Sequence, residues 1–250
     1  MTAAVGRLGL SWPIVFDNDQ SIWTSYANRY WPTLYLMDSQ GCIRYRHAGE
    51  GEYAQTEQAI QRLLMSINPT INMPSTMDAL SPEDESGAVC YQTTPELDSH
   101  ALGNPNPLAA TPSLFEETKD RIDGRFYLQG WWKSSPDGAT QTSDSGRITL
   151  PYHAASVSGV FAASPDPSGM LPEPLMVFIH QDKSTLSKTH STPDLQLSNG
   201  IAHLQVDSAR SYALAKNADV EPGELELRIS GAGFTIYAFS FGRCVVQPTS

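Results

Sequence analysis

Between residues 224 and 230, Glu224, Glu226 and Arg228 alternate with Leu225, Leu227 and Ile229. A period of two puts the apolar side chains on one face and the charged ones on the other, as in a half-buried strand. The pattern does not stand alone. From residue 126 onward, short strand-like runs alternate with turn residues, at roughly 126–132, 147–152, 157–162, 175–180, 200–206, 210–215, 224–230 and 234–242. In the last run both faces are largely apolar, with Phe234, Ile236, Ala238 and Ser240 opposing Thr235, Tyr237, Phe239 and Phe241. Many short strands with turns between them define a β-sandwich or jelly roll, here over residues 113–250. The 18 glycines and 18 prolines of the 250-residue chain fit the same reading.

The front of the chain has another style. Residues 13–16 read as a short apolar strand, closed by Asp17-Asn18-Asp19. Ile22, Trp23, Tyr26, Ala27 and Tyr30 recur at helical spacing. Asp19 or Ser21 would cap that helix, and Pro32 would stop it at Trp31. Residues 34–37 and 43–47 form a hairpin signal around Asp38-Ser39-Gln40-Gly41, with Gly41 free to take positive φ. On its second strand Ile43, Tyr45 and His47 share one face, and Cys42, Arg44 and Arg46 the other. Tyr53, Thr56, Ile60, Leu63, Leu64 and Ile67 trace the stripe of a second helix, ended by Asn68-Pro69. Residues 69–112 are polar, rich in proline and acids, and without periodicity. They read as a linker, or as an arm laid across a neighbour.

Charge and motifs exclude several functions. Sixteen basic against 27 acidic residues give a net charge of −11, the wrong sign for nucleic acid or anionic lipid. No apolar run reaches the roughly 18–20 residues of a membrane span. Cys42, Cys90 and Cys244 lie far apart with no C-x-x-C. A disulfide scaffold and a zinc knuckle are thereby excluded, while one bridge, such as Cys90 to Cys244, fits the count. His47, His100, His153, His180, His190 and His203 fall into no ligand spacing, so no metal is expected. Neither G-x-S-x-G, a P-loop nor G-x-G-x-x-G is present, and no cofactor is implied. Asp17-Asn18-Asp19 lacks the glycine and distal glutamate of a calcium loop. Glu83-Asp84-Glu85 reads as solvated linker.

Two sets of motifs carry a resemblance. Trp12-Pro13-Ile14-Val15-Phe16-Asp17-Asn18-Asp19, the stretch Asn28 to Asp38 around Trp31-Pro32-Thr33, and Gly41 to Glu52 resemble the C-terminal half of a thioredoxin-like redoxin domain. Phe126-Tyr127-Leu128-Gln129-Gly130-Trp131-Trp132, Leu150-Pro151-Tyr152-His153-Ala154 and Ile236 to Gly242 resemble a carbohydrate-binding-module-like sandwich. That order is similar to the two-domain periplasmic end of DipZ-type cytochrome-biogenesis proteins. The expected organisation is therefore α/β plus all-β. Residues 1–68 would be a truncated thioredoxin-like domain, 69–112 the linker or arm, and 113–250 the sandwich.

The resemblance implies a thiol–disulfide oxidoreductase family and an extracytoplasmic location, although residues 1–10 lack a signal peptide's pattern and read as the tail of a helix. The strand and C-x-x-C helix of the family would precede this chain, so the chain is expected to be inactive as it stands, and fold alone does not supply the chemistry. A sheet without its first strand exposes an edge and an apolar face. Residues 1–68 are expected to be loose, to aggregate or to be covered by the arm.

By resemblance, Pro32 opens its strand in cis, and Trp31, Pro32 and Thr33 meet an extended protein disulfide substrate. Cys42 reads as an incidental thiol. The adjacent tryptophans point to opposite faces if they lie on one strand, and the resemblance implies that Trp132 is in the core and Trp131 outside it. An outward Trp131 would stack on a sugar or another apolar partner, or lie beneath the linker or the first domain. Tyr152 and His153 would join such a surface, unless the tyrosine caps the core. The alternative to a redoxin role is thus a module that binds a saccharide or a protein through the sandwich.

Overall fold

A computed structural model of the chain describes residues 5–6, 9–79, 82–85, 87–135, 137–163, 175–185, 192–198 and 201–246. The helix tail expected over residues 1–10 lies mostly outside them, as do His190 and Gly200. Two compact units are formed, Met1–Asp84 and Glu85–Ser250.

In the first unit, helix α1 (Ser21–Ser25) is followed by strands β1 (Thr33–Met37) and β2 (Ile43–Ala48) and helix α2 (Tyr53–Ile67). The hairpin register sets Leu34 opposite His47 and Leu36 opposite Tyr45. Its turn is held by Asp38, whose Oδ1 accepts from the amides of Gln40 and Cys42, each at 2.9 Å. Gly41 takes φ 79° there, as the turn chemistry requires. Helix α2 follows the expected stripe in extent, and its Thr56 and Ala59 are buried.

Two expectations for this unit fail. Residues 13–16 form no strand, and Ile14, Val15 and Phe16 are exposed. An apolar run becomes a strand only where a partner edge takes its main-chain groups, and β1 and β2 pair solely with each other among the described residues. The first helix is five residues long rather than reaching Trp31. Neither Asp19 nor Ser21 is its principal cap. The Asp17 carboxylate accepts from Ile22 N at 2.9 Å and Trp23 N at 2.8 Å, and these bonds hold it below the usual carboxylate range. The helix ends at Tyr26, and Ala27 follows at φ 50°. There the Tyr35 hydroxyl lies 2.9 Å from Tyr26 O and 2.8 Å from Asn28 Oδ1, drawing the chain back over β1.

The second unit is mostly β and sandwich-like. Its strands are β3 (Ala88–Cys90), β4 (Leu97–Asp98), β5 (Ser113–Phe115), β6 (Tyr127–Ser135), β7 (Gly138–Ala163), β8 (Leu175–Gln181), β9 (Ser184–Thr185), β10 (Gln196–Ser198), β11 (Ile201–Val206), β12 (Arg210–Ser230), β13 (Phe234–Gly242) and β14 (Cys244–Val246). β7 and β12 are long because each serves two layers. Residues 147–149 of β7 lie between β6 and residues 226–228 of β12. Residues 156–161 lie between the first part of β12 and β13. The pairs read from sequence as 147–152 with 157–162, and 210–215 with 224–230, are therefore continuous strands. Pro151 faces Glu224 and Pro222 faces His153 at the bends, where a missing amide is tolerated.

A single core fills the space between the layers. Trp132, Phe161, Tyr212, Phe234 and Phe239 are among its largest buried side chains. A register shift between Ile236 and Ala238 brings Phe239 to the core side with Phe234 and Ile236.

The expected linker is also divided. Residues 85–112 belong to the second unit. β3 pairs with β14 and β4 with β13, and Asn104 grips Leu128 through its side-chain amide, accepting from Leu128 N at 2.7 Å and donating to Leu128 O at 2.9 Å. Strands of two or three residues have no period to read, which is why polar sequence hid them. Cys90 and Cys244 sit directly opposite one another and form a disulfide.

Candidate functional site

Two surfaces contain the residues singled out from the sequence. On the first unit, the Trp31–Pro32 peptide is cis and Trp31 is 80% exposed, its ring edge-on to Trp23 with centroids 5.4 Å apart. Gly49 N donates to Pro32 O at 2.8 Å, and Thr33 Oγ1 donates to Tyr30 O at 2.6 Å. The three residues thus enter β1 at a fixed angle, and the strand edge away from β2 is unpaired among the described residues. Cys42 is exposed and unbonded at the far end of the same hairpin.

On the second unit, β6 separates its tryptophans as strand alternation demands. Trp132 is fully buried, and its Nε1 donates to Gln129 O at 3.0 Å. Trp131 is 46% exposed, opposite Leu114 of β5, which is 49% exposed. Tyr152 and His153 do not join them. They pair with Gly223 and Pro222 at the bend of β12. Along β7 this is six residues beyond Gly146, about 20 Å at strand rise. Tyr152 is a core residue. Its hydroxyl accepts from Gln181 Nε2 at 2.8 Å and Asn217 Nδ2 at 3.2 Å, and burial pushes its phenol up. His153 is half-buried, and its backbone is tied to Thr94, whose hydroxyl accepts from His153 N at 2.7 Å.

Beside Trp131 and Leu114 lies a groove of about 440 Å³ that sequence reasoning missed. Leu114, Glu116 and Glu117 form one bank, Arg147 and Arg228 the other, with Gln129, Gly130, Ser145 and Gly146 between. Arg147 and Arg228 are directly opposite on neighbouring strands. Glu226 bridges them, 2.5 Å from Arg228 Nε and 3.3 Å from the Arg147 guanidinium. The segment after β5 is anchored by Arg121, which donates two hydrogen bonds of 2.9 Å to Glu224 and one of 2.6 Å to Thr118 O. The one sequence signal was the outward charged set Glu224, Glu226 and Arg228; its partner strand was not legible. Among the described residues no cluster of three His, Cys, Asp or Glu side chains could hold a metal, and no helix is long and apolar enough to cross a membrane.

This sandwich defines a class: residues 97–242 match the model of the thioredoxin-like C-terminal domain, and the chain belongs to that family. It is 32% identical over 156 residues to Protein DipZ of Mycobacterium bovis, covering 60% of this chain and 22% of that protein, and the figures are the same for Protein DipZ of Mycobacterium tuberculosis. The chain therefore spans about a fifth of the length of these relatives. Among solved structures it is similar to a family two carbohydrate esterase from Clostridium thermocellum in complex with cellohexaose (TM-score 0.33, 11% identity, 48% of this chain and 31% of that one). It is also similar to a family 6 carbohydrate-binding module (TM-score 0.29, 15% identity, 59% and 92%). Likenesses of this strength carry no functional argument.

Proposed function

We propose that this chain serves a thiol–disulfide oxidoreductase system by holding a partner and does not exchange disulfides itself. One observation carries the reading: two of the three cysteines are joined to each other, and the third, Cys42, stands alone on an exposed hairpin turn. Exchange needs an attacking thiolate and a sulfur within reach of it, and Cys42 is the sole cysteine of its unit. Trp31, Pro32 and Thr33 would receive an extended protein substrate along the free edge of β1, by strand addition. The Cys90–Cys244 bridge supports an extracytoplasmic location, because such bonds persist in oxidising compartments. In an insulin-reduction assay the chain should turn over no faster than free thiol. Robust activity that disappears in Cys42→Ser overturns this reading.

The exposed Trp131–Leu114 pair favours a second reading, in which the sandwich binds a saccharide or a protein. Apolar side chains side by side in the open mark a contact surface more than an isolated one does. Screening on a glycan array and against candidate protein partners tests it; a clear hit unaffected by Trp131→Ala removes that residue from the surface.

A further inference from the structure

The geometry points to the groove between the β5 segment and the Arg147–Arg228 row as a binding site for a neutral saccharide. This rests on the second reading above and adds to it the location and the ligand class.

The first support is an arrangement that strand pairing alone would not favour. Like charges directly opposite on neighbouring strands are destabilising, yet Arg147 faces Arg228. One carboxylate, Glu226, is shared between them. The shared contact fixes both guanidinium planes at the groove while leaving further N–H donors on each fork. Next in the same cross-strand row is Gln129, whose Oε1 is buried without a hydrogen-bond partner among the described residues. Unmet buried acceptors are rare in folded proteins and call for an explanation. Gln129 lines the groove, although this oxygen itself is shielded from it.

The strand pair behind the groove is also unusual. Gly130 faces Gly146, and the space that a Cβ on Gly146 would need is filled by the buried Gln141 side chain. Gly130 holds φ +102°, and a Cβ on it would lie 3.1 Å from Ser145 O. Glycine within a strand marks a bulge or a place where another group approaches closely, and the register does shift between Gly130 and Trp132.

The charge pattern selects the ligand. An anion would meet Glu116 and Glu117, and a cation would meet Arg147 and Arg228. A ring carrying vicinal hydroxyls is served by both banks, accepting from the guanidinium forks and donating to the carboxylates. Its C–H face would lie against Leu114 of the groove, and a longer oligosaccharide would reach Trp131, the cross-strand partner of Leu114. The volume lies within the range of small-molecule sites, about 300–1,000 Å³.

The test is titration calorimetry on the full chain, with neutral hexose oligosaccharides (cellohexaose and mannopentaose among them) and with trigalacturonate as the anionic probe. A neutral oligosaccharide should bind. Arg228→Ala should weaken it by about tenfold or more, the loss of one hydrogen bond to a charged group. Arg228→Lys should also weaken it, because the charge stays and the fork is lost. Arg228 is half exposed, and an unchanged thermal melt establishes that each variant folds. Neutral binding indifferent to both Arg228 variants overturns the groove, and loss of that binding in Trp131→Ala would leave the second reading standing without it. Tighter binding of trigalacturonate overturns the ligand class. Absence of binding by every neutral oligosaccharide overturns the inference, while the second reading is then decided by its protein partners.

Discussion

Tyr212 is fully buried, yet every capacity of its hydroxyl is used. It accepts from the amides of Asp207 and Ser208 at 3.3 Å each, and its own proton faces Ser208 O at 2.8 Å and Asp207 Oδ1 at 3.1 Å. The ring stacks on Phe161 and lies under the Arg210 guanidinium at 3.7 Å. Tyr212→Phe keeps the packing and strands those amides, so it should cost about 1–3 kcal/mol, read from the urea midpoint. The Ser208 hydroxyl and then Tyr212 hold Asp207 below its ordinary 3.8. A depressed carboxylate contributes stability that is complete above 3.8 and is lost as pH falls through the folded value. Tyr212→Phe should therefore also shrink the acid-side loss. His180 behaves with the same sign for another reason. Burial, and then Arg228, lowers it from 6.5, so the stability it contributes is present above 6.5 and lost as pH falls below it. Melting temperature against pH should be flatter on the acid side of 6.5 in His180→Gln. At this scale alternation set Trp131 and Trp132 on opposite faces, and the family resemblance said which of the two is inside. The sequence was silent on Arg147 facing Arg228, because register is a property of two strands and one strand's pattern does not contain it.

Among the elements, α2 and the β1–β2 hairpin were legible because each carries a full period of its own: an apolar stripe in one, a Gly41 turn in the other. β3 and β14 were not. They are three residues each, and what makes them a pair is chemistry across 154 residues of chain, the Cys90–Cys244 bond. Removing it with Cys90→Ser and Cys244→Ser lifts a constraint on the unfolded chain, and such losses typically cost about 2–5 kcal/mol. The expected outcome is a lower urea midpoint for the second unit, with β3 losing amide protection before the interior of β7. Equal midpoints with and without the bond would mean that the ribbon is held by its backbone pairing alone. The same length argument explains why α1 was over-read. Its five aromatic and apolar positions continue at helical spacing past Ser25, but none of its residues is buried, and most helical stability comes from packing a face.

Across the whole chain, apolar cover is distributed unequally. Among the described residues before 85, Ala59 is the one buried hydrophobic, whereas Trp12, Val15, Phe16, Tyr30, Trp31, Ile43 and Ile67 all stand more than half exposed. After residue 85, one continuous core includes Trp132, Ile148, Leu150, Phe161, Leu214, Leu227 and Phe234. Burial supplies the main force against chain entropy, at about 25 cal/mol per Å² of apolar surface. The two units must then differ in how readily they open. Hydrogen exchange on the full chain tests this directly. Amides of β1, β2 and α2 should exchange by local opening, far faster than those around Ile148–Leu150 of β7 and Leu225–Ile229 of β12, which should approach the protection of global unfolding. Denaturant at low concentration should leave the first group unchanged and speed the second. Uniformly slow exchange through residues 33–67 in a monomer would mean that the exposed apolar residues are covered in solution, and the unequal distribution would no longer describe the protein.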